Sequence, residues 1–428
     1  MTRCTVHTLA RCGAALAALL ALVGPAHSQA LDDVDTATPS TVEAAVAGAD
    51  TTGALTDAEL AELELLFGVS LAESEAGTSV TQPAATSSSN PNISLILDVA
   101  GAYYSERDAL QLGGHDPRET GFTLQQLELH FDASVDPYFR LDANLVFSLF
   151  GVEVEEVFAT STRLPAGFQL RVGQFLTRFG RLNPTHPHTW SFVDQALIVG
   201  KFFGSEGSRG LGFELSWLAP TPWFVEAVVS VTNADGECCA RSFYSADADG
   251  IDGVEDLLVT AALKQFFDLS EAMGLLVGVS GQFGPNPSGY RNRTNLLGAD
   301  LTLRVRPPSS ARRSAFTLST EAIARVRQLP GDSLRDWGLV ASAVYNITPR
   351  WEVGARYEYV AGVAGDLADP EWVSARDRTS AQVTYRPSHF SRFRLQGKYD
   401  DPEWTPRPIF GVVLAAEFLI GAHGSHAY

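Results

Sequence analysis

Long apolar runs are missing from this chain. A helix that crosses a bilayer needs about eighteen consecutive apolar residues, and no stretch of the 428 supplies them. Helical membrane spans are thereby excluded. Cysteine is scarce as well: Cys4, Cys12, Cys238 and Cys239 are all there is. The first pair falls in a leader segment, and the second pair is adjacent, so an ordinary disulfide framework is ruled out. A vicinal disulfide, a metal-reactive thiol pair or two incidental loop cysteines remain open. Positive charge is the third shortage, with 31 Lys and Arg against 50 Asp and Glu. Such an acid excess argues against nucleic acid as a partner.

What is present begins with a basic start, Arg3 and Arg11, before the apolar run "GAALAALLALVG" at 13–24. Pro25 and the small-residue stretch "AHSQA" follow. This is the pattern of a secretory signal peptide over 1–30, cut after Ser28 or Ala30. Its removal leaves 29 basic against 50 acidic residues, a net charge of −21.

Residues 31–92 hold eleven Asp and Glu and no Lys or Arg, between Thr/Ser/Ala/Pro-rich ends. That composition predicts a periplasmic linker. Inside it, "LTDAELAELELLFG" offers Thr56 as a cap, Glu59 three residues on, and Leu60, Leu63 and Leu66 at helical spacing, which predicts a short helix over 56–67.

From Ile93 to Tyr428 the period becomes two. In "YFRLDANLVFSL", Phe139, Leu141, Ala143, Leu145 and Phe147 share one face, and Arg140, Asp142, Asn144 and Ser148 share the other. In "SRFRLQGKY", Phe393, Leu395 and Tyr399 alternate with Arg392, Arg394, Gln396 and Lys398. Sixteen such segments are predicted, the first near 93–104 and the last near 408–420. Short turns ("SVDP", "APTP", "DLSE", "ITPR", "RPSH") alternate with long polar connections at 105–120, 178–208, 234–255, 284–291 and 362–375. Aromatic residues such as Tyr138, Trp217, Trp223, Tyr345, Trp351 and Phe390 flank the short turns. These are the marks of a transmembrane β-barrel with short periplasmic turns and an aromatic girdle. The fold expected is all-β, a sixteen-stranded antiparallel barrel over 93–428, and that size leaves an aqueous channel. No plug-sized globular segment precedes Ile93.

The connection 178–208 is the longest, and loops beyond about 12–15 residues are usually functional or disordered. It carries Trp190, Phe192, Leu197, Ile198, Phe202 and Phe203, too apolar for solvent. It is therefore expected to fold into the barrel as an inward third loop. That fold would set Asp194, Lys201 and Glu206 near the solute path, with Arg140, Arg171, Arg392 and Arg394 on the inner wall. Charges at a constriction set ion preference. His186 and His188, two apart in "NPTHPHTW", point the same way from an extended stretch. They offer two of the about four ligands that Zn²⁺ takes, with His130 as a lumen-facing third and Asp194 as a further donor. The alternative is that these histidines hydrogen-bond the folded loop. The acidic run "DADGIDGVED" lacks proper calcium-loop spacing.

The chain from about Ile93 resembles sixteen-stranded porins related to the phosphate-selective porin O/P family. The segment "VGQFLTRFGRLNPTHPHTWSFVDQ" is similar to a branch labelled zinc-regulated TonB-dependent outer membrane receptor, through Gly173, Phe179, Gly180, Asn183, Pro184, His186, His188, Trp190, Phe192 and Asp194, with the terminal "GAHGSHAY" in support. The resemblance implies an outer-membrane location in a Gram-negative bacterium, lipid and small solutes or ions as partners, a homotrimer, and a link to zinc. Inner-face charges are mixed in sign, with Arg356, Arg376, Arg378 and Lys398 opposed by Glu128, Asp132, Asp142, Glu321, Glu352 and Glu358, which gives no ground for phosphate selectivity. The reading is a channel for passive diffusion of small hydrophilic solutes or ions, without a resident cofactor. The alternatives are a protein linked to zinc or other metal uptake, and an outer-membrane hydrolase. For the hydrolase no Gly-x-Ser-x-Gly elbow or triad is found, so the chain is read as a non-enzyme.

Overall fold

The computed structural model describes residues 91–148, 151–234, 236–243, 253–289, 291–306, 314–366, 370 and 372–421. The predicted leader, the helix at 56–67, most of the acidic run at 247–256 and the terminal histidines lie outside the described residues.

Sixteen strands follow one another: β1 (Asn92–Tyr104), β2 (Gly121–Ser134), β3 (Phe139–Ser148), β4 (Gly151–Ser161), β5 (Phe168–Leu176), β6 (Arg209–Leu218), β7 (Phe224–Thr232) and β8 (Leu258–Ser270). The second half comprises β9 (Met273–Pro285), β10 (Arg293–Val305), β11 (Ala315–Leu329), β12 (Asp332–Thr348), β13 (Trp351–Val360), β14 (Arg376–Ser388), β15 (Ser391–Pro402) and β16 (Ile409–Gly421). Each pairs antiparallel with its sequence neighbours, and β1 pairs with β16 to close the ring. Closure leaves no unpaired sheet edge, so every backbone group in the wall can bond to a neighbouring strand.

The alternation is inverted relative to a soluble protein. On β16, Phe410, Val412, Leu414 and Phe418 are exposed, whereas Glu417 is buried. On β15, Phe393, Leu395 and Tyr399 face out, and Arg392, Arg394 and Lys398 are buried. Apolar residues outside and charges inside are the arrangement that a lipid-facing wall requires. Near the short turns the aromatics meet across strands. Trp351 lies 4.7 Å from Tyr385, and Phe168 lies 6.2 Å from Trp217, centroid to centroid.

On the long-loop rim β3 ends at Ser148 and β4 begins at Gly151, and a tight turn at 330–331 joins β11 to β12. The other loops on that rim that matter here are L1 (105–120), L3 (177–208) and L4 (233–257). L3 contains the short helix α1 (Leu197–Phe202), and L4 contains α2 (Gly236–Ala240).

Strands β2 and β4 each carry a β-bulge. On β2 the register against β1 jumps so that Asp98 faces Gln126 and Val99 faces Leu124, leaving Gln125 as the extra residue. On β4, Asn144 of β3 faces Glu156 and Leu145 faces Val154, leaving Glu155 extra. A flat strand would send one member of each pair outward. The bulges let Gln125 and Gln126, and Glu155 and Glu156, all be buried.

Candidate functional site

L3 folds into the barrel. Its apolar part, α1 with Phe203, packs with Phe179 against Leu296, Ile323, Val340 and Val360 of the wall. A second apolar contact sets Val193 of L3 and Ala109 of L1 against Ala100, Val413 and Ala415 of β1 and β16. These clusters bury Phe179, Phe202 and Phe203 away from solvent.

The neck of the loop is clasped by Asn183. Its amide donates to the carbonyls of Thr177 (2.8 Å) and Ser208 (3.0 Å), and its oxygen accepts from the Ser208 amide at 2.6 Å. Gly180 just before it has φ of +61°, and a Cβ there would stand 2.1 Å from Glu321 Oε1. Only glycine fits this left-handed turn beside the carboxylate. Glu321 in return accepts the amides of Arg181 and Leu182, both at 3.0 Å.

Beyond the neck, L3 crosses between two walls of opposite charge. On β13–β15 a set of cations holds the segment 188–194. Arg392 donates to the His188 carbonyl at 2.6 Å and to the Trp190 carbonyl at 3.0 Å. Arg394 reaches the carbonyls of Trp190 and Phe192, each at 3.2 Å. Asp194 is the focus: Arg356 lies 2.5 Å from Oδ1, Lys398 3.0 Å and Arg378 3.2 Å from Oδ2, and Gln396 donates at 2.7 Å. Burial would raise the Asp194 pKa, but Lys398, Arg356 and Arg378, with the Gln396 hydrogen bond, hold it well below the usual carboxylate value.

On β2–β4 the partners are acids. His186 Nδ1 lies 3.2 Å from Glu155 and Nε2 2.9 Å from Glu156. His188 Nδ1 is 2.9 Å from Glu128, and the two imidazoles stack with centroids 5.6 Å apart. Burial disfavours the charged His186 ring, but the charges and hydrogen bonds of Glu155 and Glu156 outweigh it and raise its pKa well above the ordinary value. His115 of L1 meets Glu206 of L3 at 3.1 Å. There too burial opposes the charge, and the Glu206 hydrogen bond and charge prevail, raising His115 to about 9.

The residues expected at the constriction are thus distributed over several contacts. Asp194, Arg392 and Arg394 come together at the loop–wall contact. Lys201 is fully buried, its Nζ 4.5 Å from the Trp372 ring. Glu206 sits with His115, its amide bonded to the Cys238 carbonyl at 3.0 Å. Arg140 pairs with Asp132 (3.3 Å) and Asp142 (3.2 Å). Arg171 lies over Phe158 at 4.3 Å and 3.7 Å from Glu214. Of the histidines, His186 and His188 come together, while His130 bonds Asn144 at 2.5 Å and faces Asp132 at 3.6 Å. Cys238 and Cys239 form a vicinal disulfide in α2.

His115, Glu155 and Glu156 are the site residues that the sequence pattern did not single out. The doubled "EE" inside an alternating strand was the available signal, because one of the two would otherwise face lipid.

No model of a known protein family matches the chain. It is 31% identical over 393 residues to an uncharacterized protein of Aquifex aeolicus, covering 79% of this chain and 80% of that protein, and the two belong to one family. Among solved structures, the outer membrane channel DcaP of Acinetobacter baumannii is 13% identical with a TM-score of 0.54, over 77% of this chain and 97% of that one. OprB of Pseudomonas putida is 8% identical with a TM-score of 0.52, over 77% and 94%. At these identities the likeness is one of fold.

Proposed function

We propose that this protein is an outer-membrane channel for passive diffusion of small hydrophilic solutes or ions, its lumen narrowed by L3. The observation that carries this is the polarity of the ring. Exposed Phe, Val and Leu cover its outside, while Arg, Lys, Asp and Glu lie inside around the folded loop. Such a wall keeps charge out of lipid, where an Arg or Lys at the midplane costs about 2–4 kcal/mol.

The charge layout supports a field across the lumen. Glu128, Glu155 and Glu156 line β2 and β4, and Arg356, Arg376, Arg378, Arg392, Arg394 and Lys398 line β13–β15. A dipolar solute crossing between them would be oriented by that field. L3 bridges both walls, so a channel that conducts around it is narrower than the bare ring.

The signal peptide, the linker over 31–92, the outer-membrane location and a trimeric assembly complete the reading. The basic start and apolar run before Pro25 support the signal peptide, the acidic composition of 31–92 supports the linker, and the resemblance to the porin O/P group supports the location and the trimer. Reversal potential across planar bilayers in a salt gradient tests the function. Discrete steps with a defined ion preference are expected, and a protein that inserts without conducting would refute it.

A further inference from the structure

We propose that the cleft between L1 and L3 ends in a binding site for a divalent transition-metal cation, formed by His115, Glu155 and Glu206. The inference goes beyond the channel reading and does not depend on it.

One donor atom from each of these three side chains lies within 4.8 Å of the other two. Metal bonds of about 2.0–2.2 Å place neighbouring donors of a tetrahedral ion about 3.3–3.6 Å apart. His115 Nε2 and Glu206 Oε2 are already 3.1 Å apart. A second set, Glu128, Glu155 and His186, meets the same 4.8 Å limit and shares Glu155 with the first. His186 Nδ1 stands 3.2 Å from Glu155 Oε2, so a further nitrogen donor lies directly behind the site.

The partners of these acids set them apart from the rest of the lumen. Asp194, Asp400, Glu214 and Glu417 are paired with Arg or Lys. A guanidinium cannot give up its proton and become a ligand. Glu155, Glu156 and Glu206 are instead paired with imidazoles. An imidazole that loses its proton becomes a ligand in place.

The surroundings fix the orientation of the His115 ring. His115 Nδ1 is 3.0 Å from the carbonyl of Gln125, and Gln125 Nε2 donates back to the His115 carbonyl at 3.1 Å. With Nδ1–H held by a backbone carbonyl, Nε2 is the atom that a metal beside Glu206 would take by displacing its proton, and the carbonyl is the usual outer-sphere support of a metal-bound histidine. Gln125 and Glu155 are the extra residues of the two bulges, so both backbone irregularities on this wall serve one spot. Gly114 lets the Glu206 carboxylate close in, since a Cβ there would stand 1.7 Å from Oε1. The cleft above is lined by Gly114, His115, Glu155, Pro187, Trp190 and Glu206. Nitrogen with carboxylate oxygen selects ions such as Zn²⁺ or Co²⁺ over Ca²⁺ or Mg²⁺, which take oxygen alone.

The test is a titration of the tag-free full chain in detergent with Co²⁺, read by its visible absorption and by calorimetry. The expected result is one equivalent whose affinity falls at least about tenfold in Glu155→Gln and in His115→Ala and is unchanged in His130→Ala. Subtracting the Glu155→Gln titration from wild type isolates this site from other histidines. Should Glu155→Gln fail to fold, Glu206→Gln, on the cleft side, must show the same loss. No bound equivalent in wild type, or equal affinity in wild type and the variants, overturns the proposal. Conduction is not needed for the titration, so its failure would leave the channel reading standing.

Discussion

Arg356 of β13 and Asp194 of L3 are joined twice: the guanidinium donates to the carboxylate at 2.5 Å and to the Asp194 main-chain carbonyl at 3.0 Å. Arg378 and Lys398 complete the contact from β14 and β15. One acidic residue thus contacts three buried cations from three strands, two of which also pair with wall carboxylates, Arg356 with Glu358 and Arg378 with Asp400. Breaking a buried charge network by removing one partner costs about 3–5 kcal/mol. Asp194→Ala should therefore release the segment 188–194 from the wall without unfolding the ring. Limited proteolysis should cut the variant within L3 where wild type resists.

The same contact predicts a pH response. The folded-state pKa of Asp194 lies well below its unfolded value, so the stabilisation is fully present above about pH 4. It is lost only as pH falls through that depressed value. Lys398, Arg356, Arg378 and Asp116 are the charged groups facing it. Amide exchange at Val193 and Leu197, whose N–H groups bond Gln396 and Glu358 at 2.7 Å each, should stay protected from pH 7 to pH 4 after correction for intrinsic rates. Loss of protection by pH 5 would contradict the assignment.

Asn183→Ala removes the clasp at the neck of L3 and leaves the Thr177 and Ser208 backbone groups without those bonds. An unsatisfied buried group costs about 1–3 kcal/mol. The barrel band should lose its resistance to SDS at a lower temperature than wild type, with its circular dichroism unchanged at 25 °C.

The outer face makes a separate prediction. Leu414 is 59% exposed in the middle of β16. At such a site a soluble protein tolerates Arg within about 0.5 kcal/mol. On a lipid-facing wall Leu414→Arg should cost about 2–4 kcal/mol. Guanidinium unfolding in liposomes measures the difference.

Strand positions were legible because one rule, apolar out and charged in, repeats every second residue from Asn92 to Gly421. The inward loop was legible from Trp190, Phe192 and the cluster around Phe202, which had no other place to go. The partners of the loop were not. The pattern "RDR" at 376–378 or "RFR" at 392–394 places cations on the inner face, but not that Arg392 and Arg394 hold carbonyls of a segment some 200 residues earlier. The acidic wall was hidden for a local reason. Period two assigns Glu155 and Glu156 to opposite faces, and only the bulge opposite Asn144 and Leu145 turns both inward.

The central claim, an aqueous lumen restricted by L3, is tested most directly by single-channel conductance in planar bilayers. Wild type should be compared with a variant in which residues 184–206 are replaced by a short Gly-Ser link. Discrete steps in both, severalfold larger in the variant, are the predicted result. Equal steps in the two proteins, or none in either, would contradict it.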